Sequence, residues 1–316
     1  MKRGIYAKEA LTRMSSSARH GATRKHLHQA AASLILCGPA VLLYAGFIVF
    51  PAILGFAYSL TDWSGWTTSP NYTGLDNFRE LTQDGRFFDA IRFTLFETVL
   101  IVVFFSFGSM LLAVLLDKLR ILKGLIRGLF FYPYVLSILV SALLFQYMAN
   151  YREGAVNTLL RAMHLEALAQ DWMGDTRLVA YFIFGLVAWN GLGFFTTVYL
   201  ANLQTIPTEL YEAARIDGAG AGRVFTRIQF PMLLPTLTTN SVLALITGIN
   251  LFPQIVVTTQ GGPGWRTFTV GYYIFHLGVL SNRQGYAAAV SFVTFAALVI
   301  IAAVQVALLR RREVSL

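Results

Sequence analysis

Six runs of the chain are long and almost free of charge: residues 30–60, 93–116, 128–151, 178–208, 228–259 and 284–309. Each exceeds the roughly 18 apolar residues that mark a membrane-crossing helix, and only the second holds a charged side chain, Glu97. The bilayer core offers no water, so every backbone N–H and C=O must be paired inside its own segment, and such runs form helices. The expected fold class is all-α: a polytopic membrane protein with six transmembrane helices. Pro39, Pro51, Pro133 and Pro253 fall inside or near the ends of these runs and predict kinks, because neighbouring helices re-satisfy the freed groups. A seventh uncharged stretch, residues 267–282, is too short to span and carries Tyr272, Tyr273 and His276. It is expected to be an amphipathic or re-entrant piece on the outer face.

The charges give the orientation. With both termini cytoplasmic, the inner segments hold 17 Lys and Arg and the outer ones 8, while Asp and Glu run 6 inside against 9 outside. That is the positive-inside pattern. Only 13% of the chain is charged, about half of what a water-exposed surface normally needs. The net charge of +9 therefore reports orientation and attraction to anionic lipid, and no nucleic-acid partner is inferred. The expected segments are a basic tail at 1–29, a first helix at 30–60, a core at 93–309 and a cytoplasmic tail at 310–316. A 31-residue first run is too long for a cleavable signal and reads as an anchor. The single cysteine, Cys37, excludes a disulfide within the chain. His26 and His28 have metal-ligand chemistry but sit in a stretch with the composition of a solvated tail. No metal site, phosphate loop or HExxH motif is found.

The inner segment 206–235 does not read as a simple connection. Pro207 and Thr208 make a helix start, with Thr208 as the cap, and Glu209 and Glu212 suit the positive end of the helix dipole. Asp217-Gly218, then Gly220 and Gly222, break that helix at about Ile216. A second short helix follows, with Val224 and Ile228 on one face and Arg223 and Arg227 on another, and Pro231 and Pro235 are expected to end it. A helix-turn-helix of small and amphipathic residues suits docking into a partner; the alternative is a hairpin lying on lipid.

Glu212-Ala213-Ala214, Asp217-Gly218-Ala219, Phe225, Ile228, Pro231 and Pro235 at these spacings resemble the EAA loop of permease subunits of bacterial ATP-binding-cassette (ABC) importers. Thr61-Asp62-Trp63, Gly74-Leu75-Asp76-Asn77-Phe78, Phe130-Phe131-Tyr132-Pro133 and Thr259-Gln260-Gly261-Gly262-Pro263-Gly264 are similar to the carbohydrate-uptake branch, the maltose and glycerol-3-phosphate type. The resemblance implies a type I importer permease fold in the bacterial plasma membrane. It implies that residues 212–218 form a coupling helix seated in a separate ATPase subunit, with Ala219, Phe225, Ile228 and Pro231 completing the loop. Two ATP-binding subunits carrying ATP-Mg, a second similar permease and an extracytoplasmic solute-binding protein are the implied partners. This chain itself would bind no cofactor and catalyse no reaction. Gln260 departs from the Gly often found there.

Polar residues within spans face the bundle interior or a wet cavity. Asn240, Thr247, Asn250 and Gln254 share one face of an uninterrupted helix by spacing, and Gly248 and Pro253 are positioned to open that helix. Trp189-Asn190 lies near the midplane of the fourth run. An aromatic ring beside amides suits a sugar, so Asn250, Gln254, Thr247, Trp189 and Asn190 are the candidate substrate pathway; the competing reading is that they bond neighbouring helices. Glu97, near the outer end of its run, is expected to reach the interface or to pair with a local donor, with a proton relay as the alternative role. Trp63, Trp66, Trp172 and Trp265 fall in outer segments, as interfacial aromatics do, and Gly261, Gly262, Pro263 and Trp265 form a candidate contact for the binding protein. The alternative function is an ion-gradient-driven secondary transporter or channel, which usually carries several midplane ionisable residues and an internal repeat. An intramembrane enzyme would need a convergent set of His, Asp, Glu or Ser at one depth, and none is seen.

Overall fold

The computed structural model describes residues 36–119 and 123–310. The tails expected at 1–29 and, beyond Arg310, at 311–316 lie outside the described residues, as do His26 and His28. The chain divides into two compact units that meet in sequence at Tyr58 and Ser59. Helix α1 is Leu36–Ser59. The rest comprises α2 (Asp76–Gln83), α3 (Gly85–Asp117), α4 (Lys123–Val135), α5 (Ile138–Met148), α6 (Ala155–Ala162), α7 (Val179–Leu203), α8 (Thr208–Ile216), α9 (Ala221–Val257), α10 (Val270–Leu280) and α11 (Gln284–Arg310). Among the described residues the strand-like pairing is a single antiparallel bridge between Thr61 and Tyr72.

Among the described residues five helices are long and apolar enough to cross a membrane: α1, α3, α7, α9 and α11. The third run folds as the pair α4 and α5, bent by 101° at Leu136 and Ser137, which makes a sixth span when the two are counted as one. The kink expected at Pro133 is therefore a full break, placed one turn later. The amide of Asn190 on α7 donates to the carbonyl of Pro133 (2.7 Å) and to Ser141 Oγ (3.1 Å), satisfying backbone that a break in lipid would otherwise leave unpaired. Two π-turns, Ala45–Val49 and Phe225–Gln229, directly precede Pro51 and Pro231. A proline ring clashes with the carbonyl four residues back, and the wider turn makes room for it.

Small residues let the helices of the second unit approach closely. A Cβ on Gly193 of α7 would lie 2.0 Å from the Phe130 carbonyl oxygen of α4. The core of the outer half gathers Phe87, Ile183, Ile255, Tyr272, Tyr273 and Tyr286, and that of the inner half Met110, Tyr199, Leu200, Leu233 and Leu237. Helix α10 has 11 residues and does not cross. Its Val270 N–H donates to Thr94 Oγ1 of α3 (2.9 Å), and Val270, Tyr272, Tyr273 and Leu277 are buried, so the short seventh stretch packs into the core.

Two further expectations change here. Glu97 does not reach the interface: α3 starts at Gly85, well before the uncharged run, so Glu97 lies about 18 Å into the helix. Glu97 is 0% exposed, and neither carboxylate oxygen has a hydrogen-bond partner among the described residues. The charged turns at Arg86, Asp89 and Arg92 had masked the true start, because Asp89 and Arg92 pair with each other (3.1 Å) on the exposed outer side. Pro231 and Pro235 do not end the second inner helix either. That helix runs through both prolines as α9.

Candidate functional site

The inner loop folds as a helical hairpin. Helix α8 begins at Thr208 with Pro207 as the preceding cap residue and no side-chain cap, so Thr208 is the first helical residue and not the cap. The helix ends by donating Gly218 N–H to the Arg215 carbonyl (3.1 Å) and Ala219 N–H to the Ala214 carbonyl (2.8 Å). This is the paired closure of a helix whose residue after the cap is left-handed. Gly218 takes φ +70°, a conformation that costs an L-residue with a Cβ roughly 1–2 kcal/mol. Gly220 then opens α9 by accepting from Arg223 N–H (2.9 Å) and Val224 N–H (3.1 Å).

Two faces of the hairpin do different jobs. Tyr211, Phe225 and Ile228 pack against Met110, Val114, Tyr199 and Leu203, the inner ends of α3 and α7. Glu212, Ala213, Asp217 and Gly218 face outward, and Ile216 is 86% exposed at the tip. Between α8 and the start of α9 lies a concavity of about 380 Å³ lined by Leu210, Ala214, Asp217, Arg223, Arg227 and Ile228. Of the loop residues singled out by sequence, Ala213, Ala214, Asp217, Ala219 and Ile228 line it, whereas Pro231 sits inside α9. Sequence reasoning missed Tyr211; the signal was the one aromatic ring of α8, about 100° around the helix from Glu212.

The candidate pathway residues are not one stripe. Helical bonding lapses at Asn250 and Leu251, and the last short stretch of α9 starts at Phe252 with Pro253 in its first turn, so the run of amides is interrupted at the place Gly248 and Pro253 suggested. Asn240 and Gln254, on either side of the lapse, are buried, and Asn250, which stands in it, is exposed. Asn240 Nδ2 donates to the Phe195 carbonyl (3.1 Å), bracing α9 against α7, and Thr247 donates to Leu243 of its own helix (2.9 Å). Gln254 Oε1 is buried without a partner among the described residues. Trp189 is 38% exposed and stacks on Phe145 at 6.0 Å. Asn250 opens onto a largely apolar cavity of about 340 Å³ with Thr94, Ile249, Val270 and Thr294.

On the outer face the turn after α9 is tightly made. Gly261 has φ +83°, Gly262 and Pro263 join through a cis bond, and Thr267 Oγ1 donates to the Gly262 carbonyl (2.7 Å). Trp265 stacks on Phe268 (4.2 Å), lies under the Arg86 guanidinium (4.3 Å) and stays 41% exposed. Nearby, Asp84 caps α3 by accepting from Arg86 N–H and Phe87 N–H (3.0 and 3.3 Å) and also accepts from the hydroxyls of Tyr273 and Tyr286. Burial raises the Asp84 pKa, but the tyrosine hydroxyls and the two amides outweigh it and hold the carboxyl below its ordinary range. Asn77 donates to the carbonyls of Ser59 (2.8 Å) and Thr61 (2.9 Å), joining two of the short patches noted in the sequence. Trp63 and Trp66 bond to the Thr67 carbonyl and to Asn282 Oδ1.

Residues 109–314 match the family described as binding-protein-dependent transport system inner membrane component. The multiple sugar-binding transport system permease protein MsmF of Streptococcus mutans is 32% identical over 87% of this chain and 93% of its own length. The lactose transport system permease protein LacF of Rhizobium radiobacter is 29% identical over 88% and 94%. The sn-glycerol-3-phosphate transport system permease protein UgpA of Agrobacterium fabrum is 28% identical over 88% and 94%. Among solved structures, a bacterial ABC transporter that imports the acidic polysaccharide alginate superposes with a TM-score of 0.79 at 22% identity, covering 91% of this chain and 99% of that one. The same kind of transporter in complex with an alginate-pentasaccharide-bound periplasmic protein gives 0.80 at 23% identity.

Proposed function

The chain belongs to the family of binding-protein-dependent transport system inner membrane components and is an ABC importer permease of the multi-pass inner-membrane kind; on that premise we propose that it imports a sugar or sugar-like solute. Support comes from relatives named for mixed sugars, lactose and glycerol 3-phosphate. The transport cycle proposed is alternating access driven by two separate ATP-binding subunits, with ATP-Mg bound there and hydrolysis performed there. A second, similar permease completes the membrane part, and a solute-binding protein delivers the cargo from outside.

The observation that carries this reading is the construction of the inner hairpin. Its Glu212 to Gly218 edge is free for a partner, while Tyr211, Phe225 and Ile228 anchor it to the ends of α3 and α7. A push on that edge moves the spans with it. Glu212, Ala213, Ala214, Asp217, Gly218 and Ala219 are the proposed coupling residues, with Phe225, Ile228 and Pro231 holding the hairpin's shape. Trp189 and Asn250, both open to a cavity or to the surface, are the strongest pathway residues; Gln254, Thr247 and Asn190 stand behind them, the last two with donors already engaged in the helix bundle. Gly261, Gly262, Pro263 and Trp265 are the proposed outer contact for the binding protein.

Uptake of labelled sugars by cells expressing the whole importer tests the reading. Glu212→Lys is expected to abolish uptake while leaving the chain in the membrane. Normal uptake at the wild-type number of ATP molecules hydrolysed per substrate refutes the coupling role. Uptake that survives loss of the ATPase and stops with an uncoupler restores the ion-gradient alternative.

A further inference from the structure

The outer segment between α5 and α7 is built inside out. On α6 the polar Asn157 is 0% exposed; its amide donates to the carbonyls of Tyr151 (3.1 Å) and Gln170 (2.8 Å), and its Oδ1 accepts from Trp172 Nε1 (2.9 Å). The apolar Leu159 and Met163 are 62% and 58% exposed, and Leu165 and Leu168 are exposed beside them. An outward apolar patch of this kind marks a contact with a membrane or with another protein.

Against this segment lies a cavity of about 230 Å³, lined by Phe145, Val156, Trp172, Tyr181, Phe182 and Gly185. Its polar atoms are nearly all engaged: the Trp172 N–H goes to Asn157, which leaves the Tyr181 hydroxyl. A sugar needs donors and acceptors for its hydroxyls, and this lining does not supply them. A hydrocarbon chain needs none. The surface around the cavity is continuous with that of α5, the apolar second half of the bent pair. Exposed Leu139, Leu143 and Tyr147 on α5 lead through exposed Tyr151 to α6, where Arg161 reaches back over the Tyr151 ring (5.6 Å) and donates to the carbonyls of Tyr151 and Arg152. The lipid that meets α5 therefore meets α6.

We propose that this cavity between α5, α6 and α7 holds an acyl chain of an outer-leaflet phospholipid, with the apolar face of α6 lying on the lipid interface. The inference goes beyond the transport reading and gives the lipid a task in it. Phe145 forms a wall of the cavity and stacks on Trp189, so a seated chain supports from behind the ring proposed to meet the solute.

The test uses the assembled importer in nanodiscs of phosphatidylethanolamine and phosphatidylglycerol, doped with phosphatidylethanolamine carrying a photoactivatable acyl chain, with adducts mapped by mass spectrometry. Adducts are expected on the peptides covering residues 145–185. A Cβ at Gly185 has ordinary contact with the Phe145 ring at 3.7 Å, so Gly185→Ala keeps the labelling, while Gly185→Leu fills the cavity and cuts it severalfold without changing adducts on α11. Should Gly185→Leu fail to assemble, the surface double variant Leu159→Ser/Met163→Ser decides, with the same loss expected. Unlabelled 145–185 peptides in the wild type, or undiminished labelling in an assembled variant, overturn the proposal. Labelling is read without transport, so its failure is distinct from failure of the sugar reading.

Discussion

Single atoms decide the behaviour of two residues. Gly218 has open space around a would-be Cβ but a left-handed backbone, so a side chain there is opposed by conformation and not by collision. Gly218→Ala is expected to cost about 1–2 kcal/mol in the hairpin and to lower binding-protein-stimulated ATP hydrolysis severalfold. Gly218→Asn should sit nearer wild type, since Asn tolerates that conformation. Tyr199 is fully buried and donates to the Ser106 carbonyl (2.9 Å) within the π-turn Phe104–Gly108. Tyr199→Phe removes one net hydrogen bond, about 1 kcal/mol, read as a lower melting temperature with unchanged substrate preference. Gly218 was legible because Asp-Gly after an amphipathic run is a local signal. Asn190 was legible as a polar residue in a span but not as the brace of a broken helix, since its partners Pro133 and Ser141 lie 57 and 49 positions away. Glu97 was misread for a similar reason: its depth depends on where α3 starts, and the Asp84 cap that sets the start precedes a charged turn.

Among helices, the apolar runs announced six crossings, of which five are single long helices, and the prolines announced disturbance, but not its size. Whether Pro133 kinks a helix or a break follows depends on whether another helix can pair the freed backbone, and α7 does so. The same helix makes the tightest demand. Gly193→Ala places a Cβ against the Phe130 carbonyl, so α7 and α4 must separate; lower yield and a lower melting temperature are expected, with Gly193→Leu worse. On the outer face Asp84 ties α3 to α10 and α11. Because its folded pKa is depressed, the stability it contributes is present above the ordinary carboxylate pKa and is lost as pH falls through the folded value. Thermal melts of the purified importer should show this acid-side loss in the wild type and a smaller one in Asp84→Asn, which is less stable at neutral pH.

For the whole molecule the charge tally of the sequence assigns each loop a side. In a Cys37→Ala background, a cysteine at Gly264 is expected to react with a membrane-impermeant thiol reagent added outside intact cells, and one at Gly218 only after the cells are opened. The reverse pattern overturns the orientation. The continuity of α9 past Pro231 and Pro235 has a mechanical result. One rod of 37 residues, about 55 Å long, carries the hairpin at one end, the lapse at Asn250 inside it and the Gly261 turn beyond the other. On the proposed coupling it acts as a lever with its fulcrum in the bundle: a tilt of about 5° displaces one tip relative to the other by roughly 5 Å over that length, shared between the hairpin inside and the turn outside.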